Sequence, residues 1–196
     1  MAGRIQAQLW EIALDQHGYV TTENAGRLKI NVVELGKLAH RGQLQRVGYG
    51  IYRFAQLPVT QFDAYMLAVL WTGGRGVLSH VTALELYELG DVNPDKIHLT
   101  VPPGYRPRRL GGGLYTVHHG RLDAAQVRRF EGVPIVKPAV AIDQVIENGV
   151  AAHRNRSAPG RWTIVEPRPL ERARFSIRHQ PLAVHRHLVR RPQVTE

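Results

Sequence analysis

Apolar positions in the first 54 residues follow two different periods. Ile5, Leu9, Ile12 and Ala13 recur at i, i+4, i+7 and i+8, which is one face of a helix, and the pattern stops at His17-Gly18. Tyr19-Val20 is a short apolar pair. Thr21 or Thr22 then offers an oxygen to cap the exposed N–H groups of a second helix, Glu23 to Leu28, which breaks at Lys29-Ile30. Asn31, followed three residues later by Glu34, has the pattern of a reciprocal cap opening a third helix that ends at Arg41-Gly42. On this helix Leu35, Leu38 and Ala39 share one face, while Val32, Val33, Gly36, Lys37 and His40 or Arg41 fall largely elsewhere. Leu44 to Val47 and Ile51 to Phe54 flank the turn Gly48-Tyr49-Gly50 and read as a hairpin. Helices followed by a hairpin in this order predict a winged helix-turn-helix. Its third helix would be about 16 Å long, and a major groove about 12 Å wide admits a helix.

Beyond Phe54 the pattern changes. Leu57-Pro58-Val59-Thr60 reads as a linker, because Pro58 disfavours helix in the residue before it and cannot donate a backbone hydrogen bond. Thr60 can cap a helix through Trp71 with Phe62, Met66, Val69 and Leu70 on one side, closed by Gly73-Gly74. Val77-Leu78 is a short strand candidate, and Ser79 can cap a helix over Ala83 to Tyr87 that Gly90 ends. Lys96 to Val101, Leu114 to His118 and Val133 to Val136 are strand candidates, and Pro138 can open a helix running to Asn148-Gly149. The expected class is α+β: a winged helix-turn-helix over 1–56, a mixed α/β domain over 60–150, and a tail over 151–196 with one strand candidate, Trp162 to Val165.

Charge sharpens this outline. The chain carries 26 Lys and Arg against 16 Asp and Glu, a formal net charge of +10, which favours polyanionic partners and nucleic acid first among them. Much of the excess sits in residues 151–196, with ten Arg and three Glu. There is no cysteine, so disulfides, thiolate metal sites and a Cys nucleophile are all excluded. The longest strongly apolar run, Tyr65 to Trp71, is seven residues, against about 20 for a membrane span. A cytoplasmic protein without membrane attachment is expected.

Several segments together resemble the AbiEi-like antitoxins of bacterial type IV toxin–antitoxin systems. They are Gly18-Tyr-Val-Thr-Thr-Glu-Asn-Ala25, Leu38 to Val47, Gly50-Ile-Tyr-Arg53, Leu78-Ser-His-Val-Thr-Ala-Leu84, Asp91 to Pro94 with Ile97-His-Leu-Thr-Val-Pro102, and Gly132 to Pro138. They span about two-thirds of the chain in one order. The resemblance implies a winged helix that binds double-stranded DNA at its own promoter as an autorepressor, and a following domain that counters a nucleotidyltransferase toxin. Whether toxin contact is direct, and whether the chain self-associates on DNA, stay open. Val32, Val33 and Gly36 stand where polar or Arg side chains would be expected to hydrogen-bond base edges. The tail matches nothing in the family. Its Arg, Pro, Ala and His bias is what a GC-rich gene gives in another frame, so a frameshift near His153 is a hypothesis that resequencing the locus tests.

The residues expected to face DNA are Thr22, Asn31, Lys37, His40, Arg41, Arg46, Tyr49 and Arg53, with the cations at phosphates and Tyr49 reaching a backbone oxygen from the turn tip. His80 and His98 read as hydrogen-bonded core residues, since no carboxylate or nucleophile stands at a recognisable spacing from either. His118 and His119 are adjacent, so in a strand they point to opposite faces. His179, His185 and His187 lack a Cys or carboxylate to complete a metal shell, and no metal or cofactor is expected. Gly111-Gly-Gly113 follows Arg106, Arg108 and Arg109 without the Lys-Ser/Thr ending of a phosphate loop, so it reads as a basic loop. A non-enzymatic protein is the leading expectation. The alternative is a metal-dependent nucleic-acid-processing enzyme built on the second domain, with Asp91, Asp95 and Asp123 as available carboxylates.

Overall fold

The computed structural model of the chain describes residues 2–108 and 111–154, all within one compact unit, Met1–Ala158. The strand expected at Trp162 to Val165, and the His179, His185 and His187 set, lie outside the described residues.

Helix α1 (Ala2–Asp15) buries Leu9 and Ala13, with Ile5 and Ile12 packed beside them. It closes where expected: the Gly18 amide returns to the Ala13 carbonyl at 2.7 Å with Gly18 at φ +87°, a left-handed residue that glycine adopts freely. Strand β1 (Tyr19–Thr21) leads into α2 (Thr22–Arg27). Thr21, not Thr22, is the cap: its hydroxyl accepts from the Asn24 amide at 3.1 Å, and the Asn24 side chain accepts from the Thr21 amide at 2.8 Å. In α3 (Val32–His40) only half of the expected reciprocal cap forms. Asn31 Oδ1 accepts from the Val33 amide at 3.0 Å, whereas Glu34 turns to Lys37 at 2.7 Å. Strands β2 (Leu44–Gly48) and β3 (Ile51–Phe54) form the wing, and the small antiparallel sheet runs β1-β3-β2 with β3 in the middle. Leu9, Val20, Leu35, Leu38, Leu44 and Phe54 meet in one core, where the Trp10 ring packs edge-on to Phe54 at 4.9 Å. The fold is therefore α+β with an N-terminal winged helix.

The segment after β3 is held more tightly than a linker. Asp63 takes three hydrogen bonds: from the Thr60 amide and hydroxyl, each at 2.7 Å, and from Arg53 Nε at 2.9 Å. The Pro58 carbonyl accepts from Arg53 at 2.7 Å. Thr60 consequently organises the turn before α4 (Asp63–Trp71) rather than capping it, and the helix begins later than expected. The one-sided apolar face expected for α4 is also corrected. Met66, Ala68, Val69, Leu70 and Trp71 are all buried, because the helix is packed against β1 as well as the second sheet.

That sheet has five strands in the order β6-β5-β4-β8-β7: β4 (Val77–Leu78), β5 (Ile97–Val101), β6 (Tyr115–His119), β7 (Val127–Phe130) and β8 (Val133–Val136). The β4–β5 and β7–β8 pairs are antiparallel, and β5–β6 and β4–β8 are parallel. Helices α5 (His80–Leu86) and α6 (Pro138–Arg154) pack on each other. Strand β7 was not expected, since its Arg128-Arg129 centre is exposed and leaves no apolar run. Ser79 stands at the start of α5, but its hydroxyl faces His80 and Thr100 instead of capping the helix. Tyr19 and Ile51 of the winged helix pack into the core built by Met66, Leu78, Leu99 and Ile135. Imidazole His17 lies 3.0 Å from the Thr60 hydroxyl and donates to the Glu131 carbonyl at 2.7 Å. The expected boundary near residue 58 therefore crosses a shared core and a polar clasp.

Candidate nucleic-acid interface

Helix α3 has one buried side and one bare side. At about 100° of rotation per residue, Val32, Gly36 and His40 line up, with Val33 and Lys37 beside them, opposite the buried Leu35 and Leu38. Val32 is 46% and Val33 60% exposed. The cations stand toward the C-terminal end, where Lys37 is shared with Glu34 and His40 and Arg41 are exposed. The wing continues the surface. Arg46 is exposed on the edge strand β2, a bulge between Arg46 and Gly48 turns Val47 outward, and Tyr49 is 77% exposed at the tip. Thr22 ties α2 to this tip, its amide bonding the Gly50 carbonyl at 3.0 Å; a Cβ on Gly50 would lie 2.7 Å from the Thr22 hydroxyl oxygen. Asn31 is exposed but spends its side-chain oxygen on the α3 cap.

Arg53 departs from the expected set. It is 8% exposed, paired with Asp63, and bonded to the Phe54 and Pro58 carbonyls at 3.3 and 2.7 Å. A guanidinium with its donors committed inside the protein is not free to neutralise a phosphate. Its role is to join β3 to α4.

Residues 8–55 match the family model described as transcriptional regulator, AbiEi antitoxin. That stretch is similar to the AbiEi antitoxin regulators. The match begins within α1 and ends one residue past β3, so it takes in all of α2, α3 and the wing. No curated protein matches the chain. Among the described residues no helix is long and apolar enough to cross a membrane.

The second sheet holds a polar cluster that sequence reading separated into pieces. His80, 6% exposed, stacks on His118 with ring centroids 3.5 Å apart, and His118 Nε2 lies 3.0 Å from His98 Nδ1. Ser79 Oγ accepts from the Thr100 hydroxyl at 2.8 Å and lies 2.9 Å from His80 Nδ1. Gln144 of α6 accepts from the His80 amide at 3.2 Å. Burial, and then the neighbouring His118 and His98, push His80 down to about 3; burial, and then His98 and His119, push His118 down to about 4; burial lowers His98. All three are therefore neutral at pH 7. His80 also holds φ +53°, a left-handed conformation uncommon outside glycine. His119 points away and meets Arg106 at 3.0 Å, as strand alternation requires. The parallel register placing Thr100 beside His118 joins the cluster, and no local spacing reveals that pairing. Among the described residues no group of three or more His, Cys, Asp or Glu side chains is placed so that it could hold a metal ion.

Proposed function

We propose that the AbiEi-like domain docks α3 in the major groove of duplex DNA at the chain's own promoter and represses that operon, while the chain as a whole counters a nucleotidyltransferase toxin. The observation that carries the DNA reading is the bare side of α3, bordered by Lys37, His40, Arg41 and Arg46 and continued by the wing tip, on a domain similar to a regulator family. The cations hold phosphates and set the docking register, and the helix face does the reading.

Salt dependence measures the phosphate contacts. Lys37, Arg41 and Arg46 would neutralise about three phosphates, so the log–log slope of affinity against salt should be roughly −2.7. A Lys37→Ala/Arg41→Ala/Arg46→Ala variant, checked for folding by its thermal melt, should lose promoter binding. Unchanged affinity in that folded variant would overturn the docking surface. The same variant separates repression from antitoxicity without cutting the shared core. With the toxin expressed from an unrelated promoter, it should still rescue growth; failure to rescue at equal toxin levels would show that antitoxicity needs the DNA surface.

A further inference from the structure

Helix α3 contains a glycine that no contact among the described residues explains. Gly36 lies in the middle of the helix without a positive φ, and a Cβ built on it would meet nothing within 4 Å. Glycine in a helix interior weakens the helix relative to alanine. Val32 and Val33 share its face, exposed and apolar. Together they make a shallow patch at the start of the helix, where helix-turn-helix proteins contact base edges.

The surroundings specify what covers that patch. Lys37, His40, Arg41 and Arg46 border it, and the acid on the helix, Glu34, is paired with Lys37. A partner with anionic walls and apolar points on its floor fits this arrangement, and thymine C5-methyl groups in the major groove supply those points. We propose that Val32 and Val33 read thymine methyls, and that Gly36 lets the α3 backbone seat on the groove floor. This rests on the DNA-binding reading above and assigns its specificity to apolar contact in place of hydrogen bonds to base edges.

The test uses the full chain and a duplex that it enriches from a random-sequence pool. Thymines are replaced one at a time by deoxyuridine, which lacks only the methyl and pairs unchanged. At contacted positions affinity should fall about fourfold, the factor expected for one methyl group left in water. Val33→Ser should bind at least one such thymine and deoxyuridine pair alike. Gly36→Ala should raise the melting temperature yet weaken binding by about tenfold, because the added methyl holds the helix off the floor. A glycine serving only the fold would leave binding unchanged.

Equal affinity for thymine and deoxyuridine at every position overturns the proposal and leaves DNA binding standing. Failure to enrich or bind any duplex overturns both. Loss of a dimer in Val32→Ser/Val33→Ser, with deoxyuridine sensitivity unaltered, assigns the patch to a second copy of the chain and overturns the proposal as well.

Discussion

Arg46 and Arg53 stand on paired strands of one hairpin, and each is the residue type that a DNA-binding domain uses at phosphates. Strand β2 is the edge of the small sheet, so Arg46 faces solvent. Strand β3 lies between β1 and β2, and α4 closes over it with Asp63, so Arg53 is buried in an ion pair. The outer rim of the winged helix thus keeps its cations available, while its inner strand spends a cation on the junction with the second sheet. A charged residue's sequence neighbourhood does not set its role. Its strand's place in the sheet, and the helix that packs against that strand, do.

The largest expected effect breaks this comparison at the junction. Arg53→Ala or Asp63→Ala each leaves an uncompensated buried charge, and either should cost about 3 to 5 kcal/mol in chemical denaturation. Arg46→Ala should change stability by less than about 0.5 kcal/mol while making the DNA salt slope shallower by about 0.9. Reversal of the two outcomes would mean that the junction is the DNA surface and the rim is structural.

The next effect uses the histidines of the second sheet, which contrast with the exposed His40 of α3. His80 and His118 hold folded values of about 3 and about 4, and His98 is lowered as well. Unfolded imidazoles take up protons near pH 6.5. Below that pH the unfolded state binds more protons than the folded one, so stability is full above about 6.5 and declines as pH falls toward the folded values. Between pH 7 and 5 His80 and His118 should each cost about 1 to 2 kcal/mol, before most carboxylates titrate, and His98 adds to the decline in the same direction. His118→Gln should flatten the decline measured by denaturant melts at several pH values. A slope that His118→Gln leaves untouched would place the acid sensitivity outside the cluster.

Local signals were legible wherever a few adjacent residues decide the outcome. The stop at Gly18, the cap at Asn31, the buried Leu35 and Leu38, and the turn around Tyr49 all follow from short-range sequence. Features decided by distant contacts were not. Strand β7 forms because β8 pairs with it across Glu131-Gly132, although Arg128 and Arg129 give it no apolar pattern. Helix α4 is buried on several sides because two sheets meet on it, which its own periodicity does not encode. That Lys37, His40, Arg41, Arg46 and Tyr49 are exposed follows from the winged-helix order, whereas buried Arg53 could not be separated from them without Asp63, ten residues on. His118 joins His80 and His98 only through the β5–β6 register.

The smallest expected effect sharpens the contrast between inner and outer positions using two helix caps. Thr21 is buried, and its hydroxyl accepts from the Asn24 amide while also donating to the Asn24 side chain at 2.9 Å. Asn31 is exposed and makes one capping bond. Loss of a cap costs about 0.5 to 2 kcal/mol. Thr21→Ala should fall in the upper half of that range, because the Asn24 amide it abandons is enclosed by protein and water cannot easily replace the hydroxyl. Asn31→Ala should fall in the lower half, since water reaches the freed Val33 amide. Thermal melts of both variants, compared with Thr21→Ser, decide the matter. Serine keeps the hydroxyl, so it should recover most of the loss; an equal loss in Ser and Ala would mean that the buried Thr21 methyl, and not the cap, holds α2 against the wing.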